Sequence, residues 1–167
     1  DALLKAGIIY DEVNRDMASN IATLTGCIEL ISNTVAMIPI KLYEEVDGKV
    51  REVKDDIRIK LLNDDTGDTL TAFDMKKAMV QDYLLVGNAY AYINKLGNDF
   101  KSLNYVDEMQ VSIIKNTDPI FKDYDIYVYG NKYKPFEFFK LLRNSKDGAT
   151  GVGIIESNPV LLSVMYN

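Results

Sequence analysis

Not one histidine occurs in the chain. That absence excludes Ser-His and Cys-His nucleophile pairs, HExxH zinc sites and imidazole general bases. A single cysteine, Cys27, excludes an internal disulfide framework and agrees with a reducing compartment. Cys27 lies in an apolar helical pattern, which predicts a small buried hydrophobe rather than a reactive thiol. No apolar run approaches the roughly 18 residues of a membrane span. The longest, Ile21 to Ile40, is interrupted by Thr23, Thr25, Glu29, Ser32, Asn33 and Thr34. No basic run exceeds Lys76-Lys77, and 19 basic against 25 acidic side chains leave a net charge of −6. A domain gripping DNA through many phosphates carries a basic stripe, and none is present. The opening "DALLKAGIIYDEVNRD" lacks the basic-then-apolar order of a secretory signal.

What is there reads as a globular domain. The 167 residues are 47% apolar, with a mean hydropathy of −0.10. That length suits one ordinary domain, or a piece of a larger chain, burying about 70% of the surface its unfolded form exposes.

Residues 1–16 have weak periodicity and mixed charge and are expected to be an arm ordered by contacts with something else. From Met17, "MASNIATLTGCIELISNTVAMIPI" is helical in pattern, with Ile21, Leu24, Ile28, Ile31 and Val35 on one face and Pro39 as its stop. A hairpin turning at Asp47-Gly48 follows, then a short helix "IRIKLLNDD". Thr71 is a plausible N-cap, with Asp74 three residues on, for a helix whose Met75, Met79, Tyr83 and Val86 share a face. Gly87 is its expected left-handed stop, with Asn88 tolerating similar geometry. The strand "AYAYIN" starts at once, Tyr90 and Tyr92 on one face, Ala89, Ala91 and Ile93 on the other. Large opposite small predicts close approach of a helix or another backbone on the alanine face. Strands are also expected in "KSLNYVD", "MQVSIIKN" and "YDIYVYGNKY", the last with Tyr127 and Tyr129 on one face. "PFEFFKLLRN" suits strand or helix, "SKDGATGVG" is a loop, and a helix begins in "IIESNPVLLSVMYN".

Candidate chemistry is sparse. "GATGVG", Gly148 to Gly153, invites a phosphate-loop reading, but Ile154 and Ile155 stand where that loop needs Lys then Ser or Thr. The dinucleotide fingerprint needs an acid about twenty residues on, and the given sequence has fourteen. Asp55-Asp56, and Asp64-Asp65 with Asp68, lack the alternating ligands and distal Glu of a calcium loop. They read better as solvated turns. The abundant tyrosines lack the interleaved basic residues of a nucleic-acid stacking surface, and suit a sheet packed under a helix or against a neighbouring subunit. No residue has the setting of a catalyst, and no cofactor or metal is indicated.

In order, the segments "IATLTGCIELISNTVAMIPIKLYEE", "KLLNDDTGDTLTAFDM", "DYLLVGNAYAYINKLGN", "SLNYVDEMQVSII" and "DGATGVGIIESNPVLL" resemble the N-terminal part of HK97-type phage portal proteins. The landmarks are the Ile-Pro step at Pro39, "LLN" before a threonine-led helix, and "GNAY" with Gly87, Asn88 and Tyr90. The "V-x-V"-like strand and the "DG-x-x-G" loop with Gly148 and Gly151 complete them. Three departures stand out: "DDTGD" after "LLN", Ile154 after Gly153, and no histidine before the last loop.

The resemblance implies an α+β fold, helices packed on a small, mostly antiparallel sheet with β-hairpins. It places residues 17–167 in a peripheral wing domain truncated at its C-terminal end, with stem, clip and crown outside this sequence. It further implies a non-catalytic, cofactor-free subunit of a homo-oligomeric ring, a dodecamer at full length, at one vertex of a phage or prophage-encoded capsid. Such a ring nucleates head assembly with capsid and scaffold proteins. It docks the terminase, later receives the head–tail adaptor and tail, and passes double-stranded DNA, with no membrane involved. The acidic balance suits a conduit, since neutralising phosphates would anchor DNA that should slide. The other readings are a ligand- or peptide-binding module using a strand edge or tyrosine face, and a phosphate-dependent enzyme built on "GATGVG".

Overall fold

The computed structural model describes residues 13–166. Of the arm expected over residues 1–16, residues 1–12 lie outside the described residues, while Arg15 and Asp16 belong to the first helix. Asn14 accepts the Met17 N–H and opens α1 (Arg15–Ser19), and α2 (Ala22–Ala36) follows. Asp47 and Gly48, both left-handed at φ 52° and 71°, turn β1 (Leu42–Val46) into β2 (Lys49–Val53). Asp56 caps α3 (Ile57–Asn63), and Thr71 caps α4 (Ala72–Leu85) by accepting the Asp74 N–H at 3.1 Å. Next come β3 (Asn88–Leu96), β4 (Asp99–Val106), β5 (Val111–Lys115), β6 (Tyr124–Val128), β7 (Asn131–Tyr133) and β8 (Phe138–Leu142). Helices α5 (Ile154–Ser157) and α6 (Pro159–Tyr166) come last.

The architecture is α+β, with small antiparallel sheets throughout. The central sheet has the order β4-β3-β8, a second sheet the order β5-β6-β7, and β1-β2 is a separate hairpin. The alternation of β3 explains how the layers stack. Ala89 and Ala91 are fully buried against Met75 and Met79 of α4 and Leu61 of α3, because a methyl group lets a helix come close. Tyr90 and Tyr92 point the other way and pack with Phe138, Ile126 and Tyr133 between the two sheets. Their rings meet edge to face: Tyr90–Phe138 at 6.3 Å between centroids, Tyr92–Tyr133 at 5.5 Å. The tyrosine face is therefore covered by a second sheet, not by a helix. A third cluster, of Val13, Ala18, Ile21, Ile28, Leu85 and Leu162, gathers α1, α2, α4 and α6.

Several expectations need correction. The helix expected from Met17 to Pro39 is two helices. The chain leaves α1 at Asn20 and is extended at Ile21 (φ −78°, ψ 100°), which drops Ile21 into the core beside Ala18. Ser19 and Asn20 favour such a break, since short polar side chains compete with helical backbone bonding. The buried stripe of α2 is Ile28, Ser32 and Ala36; Ile31 and Val35 remain 44% and 40% exposed. Cys27 is exposed rather than buried, because one residue along a helix rotates the side chain about 100° away from Ile28. "YDIYVYGNKY" is a hairpin, not one strand: Tyr129 and Gly130 take φ 48° and 80° and form its turn, leaving Tyr129 exposed. "PFEFFKLLRN" resolves into a 3-10 turn (Pro135–Glu137) and strand β8. The last helical run breaks at Asn158, since Pro159 pushes the preceding residue out of the helical region.

Candidate functional site

The motif residues meet at a backbone crossing. Gly87 ends α4 at φ +89°, the left-handed conformation that glycine adopts without a Cβ penalty. A Cβ there would lie 2.5 Å from the nitrogen of Gly153 and the carbonyl carbon of Val152. From the other side, a Cβ on Gly151 would strike the Gly87 carbonyl oxygen and sit 2.6 Å from the Arg143 nitrogen. Hydrogen bonds fill the space that the missing side chains leave. The Gly87 carbonyl accepts the Arg143 N–H at 2.8 Å, and the Arg143 carbonyl accepts the Val152 N–H at 2.7 Å. Asn88 Oδ1 accepts the Gly151 N–H at 2.7 Å, while the Arg143 guanidinium donates to the Val152 carbonyl at 2.8 Å. "GNAY" and the final glycine loop are thus two halves of one joint between α4, β3, β8 and α5.

The other singled-out residues have different settings. Gly148 takes φ +72° with open space around its missing Cβ, so its requirement is conformational only. Tyr90 is buried between the sheets, and that burial pushes its hydroxyl pKa up. Pro39 lies apart from the joint and is exposed, between Ile38 and Ile40, which line a cleft described below.

The final loop turns its amides inward. Asp147 Oδ1 accepts the N–H groups of Ala149 and Thr150, each at 2.9 Å, and its Oδ2 pairs with Lys115 Nζ at 2.5 Å. The Lys115 ammonium, then the Thr150 and Ala149 amides, hold this carboxyl well below the usual carboxylate range. The amides that a phosphate would need are already engaged by the chain's own anion. The other acidic pairs also serve turns. Asp56 binds the Arg58 side chain at 2.8 and 2.7 Å and also takes the Arg58 N–H, which lowers its pKa to about 2. Asp65 accepts the Gly67 N–H at 2.9 Å. Among the described residues, no group of three or more Cys, Asp or Glu side chains gathers in a way that could hold a metal ion.

A polar centre that sequence reasoning missed is Asp82. It is fully buried, pairs with Arg15 of α1 at 2.5 Å and accepts the Tyr105 hydroxyl at 2.6 Å. Arg15 also reaches Asp107 at 3.2 Å. Burial raises the Asp82 pKa, while Tyr105 and Arg15 oppose that rise. The available signal was spacing. Asp82 follows Met75 and Met79 on the buried face of α4, where an unpaired carboxylate is costly and a partner is required.

Large apolar side chains are exposed at several places, among them α6 with Leu161 and Val164 and the three that follow. A cleft of about 230 Å³ opens between the C-terminal end of α2, α4 and β8, lined by Val35, Ile38, Ile40, Val80 and Phe139, with Lys76 at its edge. The β1–β2 hairpin exposes Tyr43, Val46 and Val50. The β5–β6 loop presents Ile120 and Phe121, 80% and 78% exposed. Contiguous apolar surface of this kind marks places where something else packs.

A family model and one solved structure point to the same group. Residues 22–158 match the family model described as phage portal protein. Among solved structures, the chain superposes on an HK97 family phage portal protein from Corynebacterium diphtheriae with a TM-score of 0.65 at 15% identity. That match covers 92% of this chain and 46% of the other. A chain from the neck of an empty GTA particle gives a TM-score of 0.61 at 17% identity, covering 98% and 46%. A chain from the virion of a native gene transfer agent particle gives 0.58 at 16%, again covering 98% and 46%. The chain thus spans less than half the length of these structures, and at such identities the likeness is one of fold. Comparison with curated proteins finds no match.

Proposed function

The chain belongs to the phage portal protein family, and on that premise we propose that it is the wing-like portion of a portal subunit. The subunit assembles with copies of itself into a ring, a dodecamer at full length, at one vertex of the capsid. Its role is structural. The ring is a conduit for double-stranded DNA during packaging and ejection, and a dock for the terminase and then for the head–tail adaptor and tail. Its location is the virion, after assembly in the bacterial host. The wing-like unit begins before the residue 17 expected from sequence, since Val13 and Arg15 pack into it, and the stem, clip and crown belong to other sequence.

The observation that carries this reading is the family match across residues 22–158. Two features of the molecule support it. Half of the cations among the described residues pair with carboxylates, among them Lys41 with Glu52, Arg51 with Glu44, Lys77 with Glu29, and Lys132 and Lys134 with Asp125. Cations engaged in this way, with a net charge of −6, give a surface suited to letting a duplex pass rather than gripping it. The apolar cleft, hairpin and loop tip supply surface of the kind that a ring buries between copies.

The test is negative-stain microscopy of the full-length protein. Closed rings with a central hole are expected, and failure to form any closed oligomer across assembly conditions overturns the proposal.

A further inference from the structure

The Ile120–Phe121 tip and the α2–α4–β8 cleft stand in opposite layers of one copy. Phe139 of the cleft shares the helix-side face of β8 with Leu141, whereas β5 and β6 pack through Ile126 on the other side of the central sheet. A tip cannot fill the cleft of its own chain across that sheet. It can fill the cleft of the next.

The tip is built to stand out. Asn116 clamps the base of its loop, donating its N–H to the Asp123 carbonyl at 2.9 Å and accepting the Asp123 N–H on Oδ1 at 3.0 Å. Asn116 Nδ2 donates to the Phe121 carbonyl at 2.6 Å. Asp118 Oδ1 accepts the N–H groups of Ile120 and Phe121, each at 2.8 Å. The backbone is therefore fixed before any partner arrives, and little ordering entropy remains to be lost on docking. An exposed aromatic on a fixed backbone has the character of a binding anchor.

The cleft offers the complement. Its walls are aliphatic and aromatic, and it has room for one or two side chains of this size. Lys76 stands at its edge, its Nζ donating to the Ile38 carbonyl at 3.2 Å. The tip is flanked by Asp118 and Asp123, with Lys122 between them, and is net acidic. Opposite charge at the rim of an apolar contact fixes orientation and discourages wrong docking.

Resting on the ring reading above, we propose that the Ile120–Phe121 tip of one copy seats in the α2–α4–β8 cleft of the adjacent copy, with Asp118 facing Lys76. The contact joins two different patches head to tail, the geometry that closes into a ring when the rotation between copies is right.

The experiment uses the full-length protein in a background without other cysteines, Cys27→Ser included, carrying Lys122→Cys beside the tip and Met37→Cys beside the cleft, so that Phe121 and the cleft walls stay intact. Both positions are exposed within one copy, so folding should survive, and far-UV circular dichroism checks it. A short bismaleimide is expected to give a ladder of linked dimers, trimers and higher species, with each single-cysteine variant remaining monomeric on the gel. Phe121→Asp is expected to raise the concentration needed for assembly about tenfold or more. A ladder with visible rings supports both proposals. A ladder without closed rings upholds the contact and removes the ring. Rings without a ladder overturn this contact alone. Monomer throughout overturns both.

Discussion

Asn88 Oδ1 accepts a hydrogen bond from the backbone N–H of Gly151 at 2.7 Å, joining positions 63 residues apart. The bond is possible because Gly87 and Gly151 let two backbones touch where any side chain would hold them apart. It ties the start of the central strand to the loop before the last two helices.

The glycines of this joint should not be equivalent. Gly87→Ala adds a left-handed strain and a backbone clash, and Gly151→Ala a backbone clash alone. Gly151→Ala is expected to lose about 3 kcal/mol in urea unfolding, and Gly87→Ala about 1 kcal/mol more from its left-handed conformation. Gly148→Ala, with open space around it, should lose only about 1 kcal/mol from its backbone conformation. Equal losses at Gly148 and Gly151 would show that the crossing has room to relax.

The Arg15–Asp82 pair should anchor α1. Arg15→Ala leaves a fully buried carboxylate without its ionic partner and is expected to cost about 3 kcal/mol. Denaturant midpoints measure it. A change within about 0.5 kcal/mol, the range of ordinary surface substitutions, would remove this pair from the account of stability.

Asp147 and Asp82 should carry opposite pH signatures. The Asp147 carboxyl is held below its ordinary value, first by Lys115 and then by loop amides. Its stabilising contribution is therefore present above about pH 3.9 and is lost as pH falls through the depressed value. Burial raises the Asp82 pKa instead, so its contribution is present below about pH 3.9 and is lost as pH rises through the raised value. Unfolding midpoints across pH should show Asp147→Asn losing less than the parent on acidification. Asp82→Asn should decline less than the parent as pH rises from about 4. Parallel curves for parent and variants would contradict these signs.

The close packing of α4 on the alanine face can be tested by overfilling it. Ala91→Leu pushes new methyl groups toward Met75 and Met79 and should cost about 1–3 kcal/mol, seen as a lower melting temperature. An unchanged melting temperature would mean that the helix rides farther from the sheet than described.

Local chemistry made part of this fold legible in the sequence. Asp47-Gly48 announced its hairpin, Thr71 its cap, and the Ala/Tyr alternation of β3 the close neighbour on its alanine face, though not the second sheet on its tyrosine face, because turn conformation and strand period are properties of a few adjacent residues. What escaped depended on distant partners. The break at Asn20 is decided by the pocket that receives Ile21, and the exposure of Cys27 by which stripe of α2 meets α4. Asp82 drew no reading from sequence, because its partners Arg15 and Tyr105 come from elsewhere in the chain. The joint was visible only as two separate glycine motifs, since no local pattern says that one backbone will rest on the other. The cleft went unseen for the same reason: Val35 has the spacing of a core residue, yet it lines an open cleft beside α4 and β8.

The glycine crossing also has a mechanical side. Helix α5 begins at Ile154, directly after Gly153, and the stretch from Gly151 to Gly153 lies on the backbone of Gly87. A push or pull on the last two helices therefore reaches the end of α4 through main-chain bonds, without the slack that side-chain rotamers would introduce.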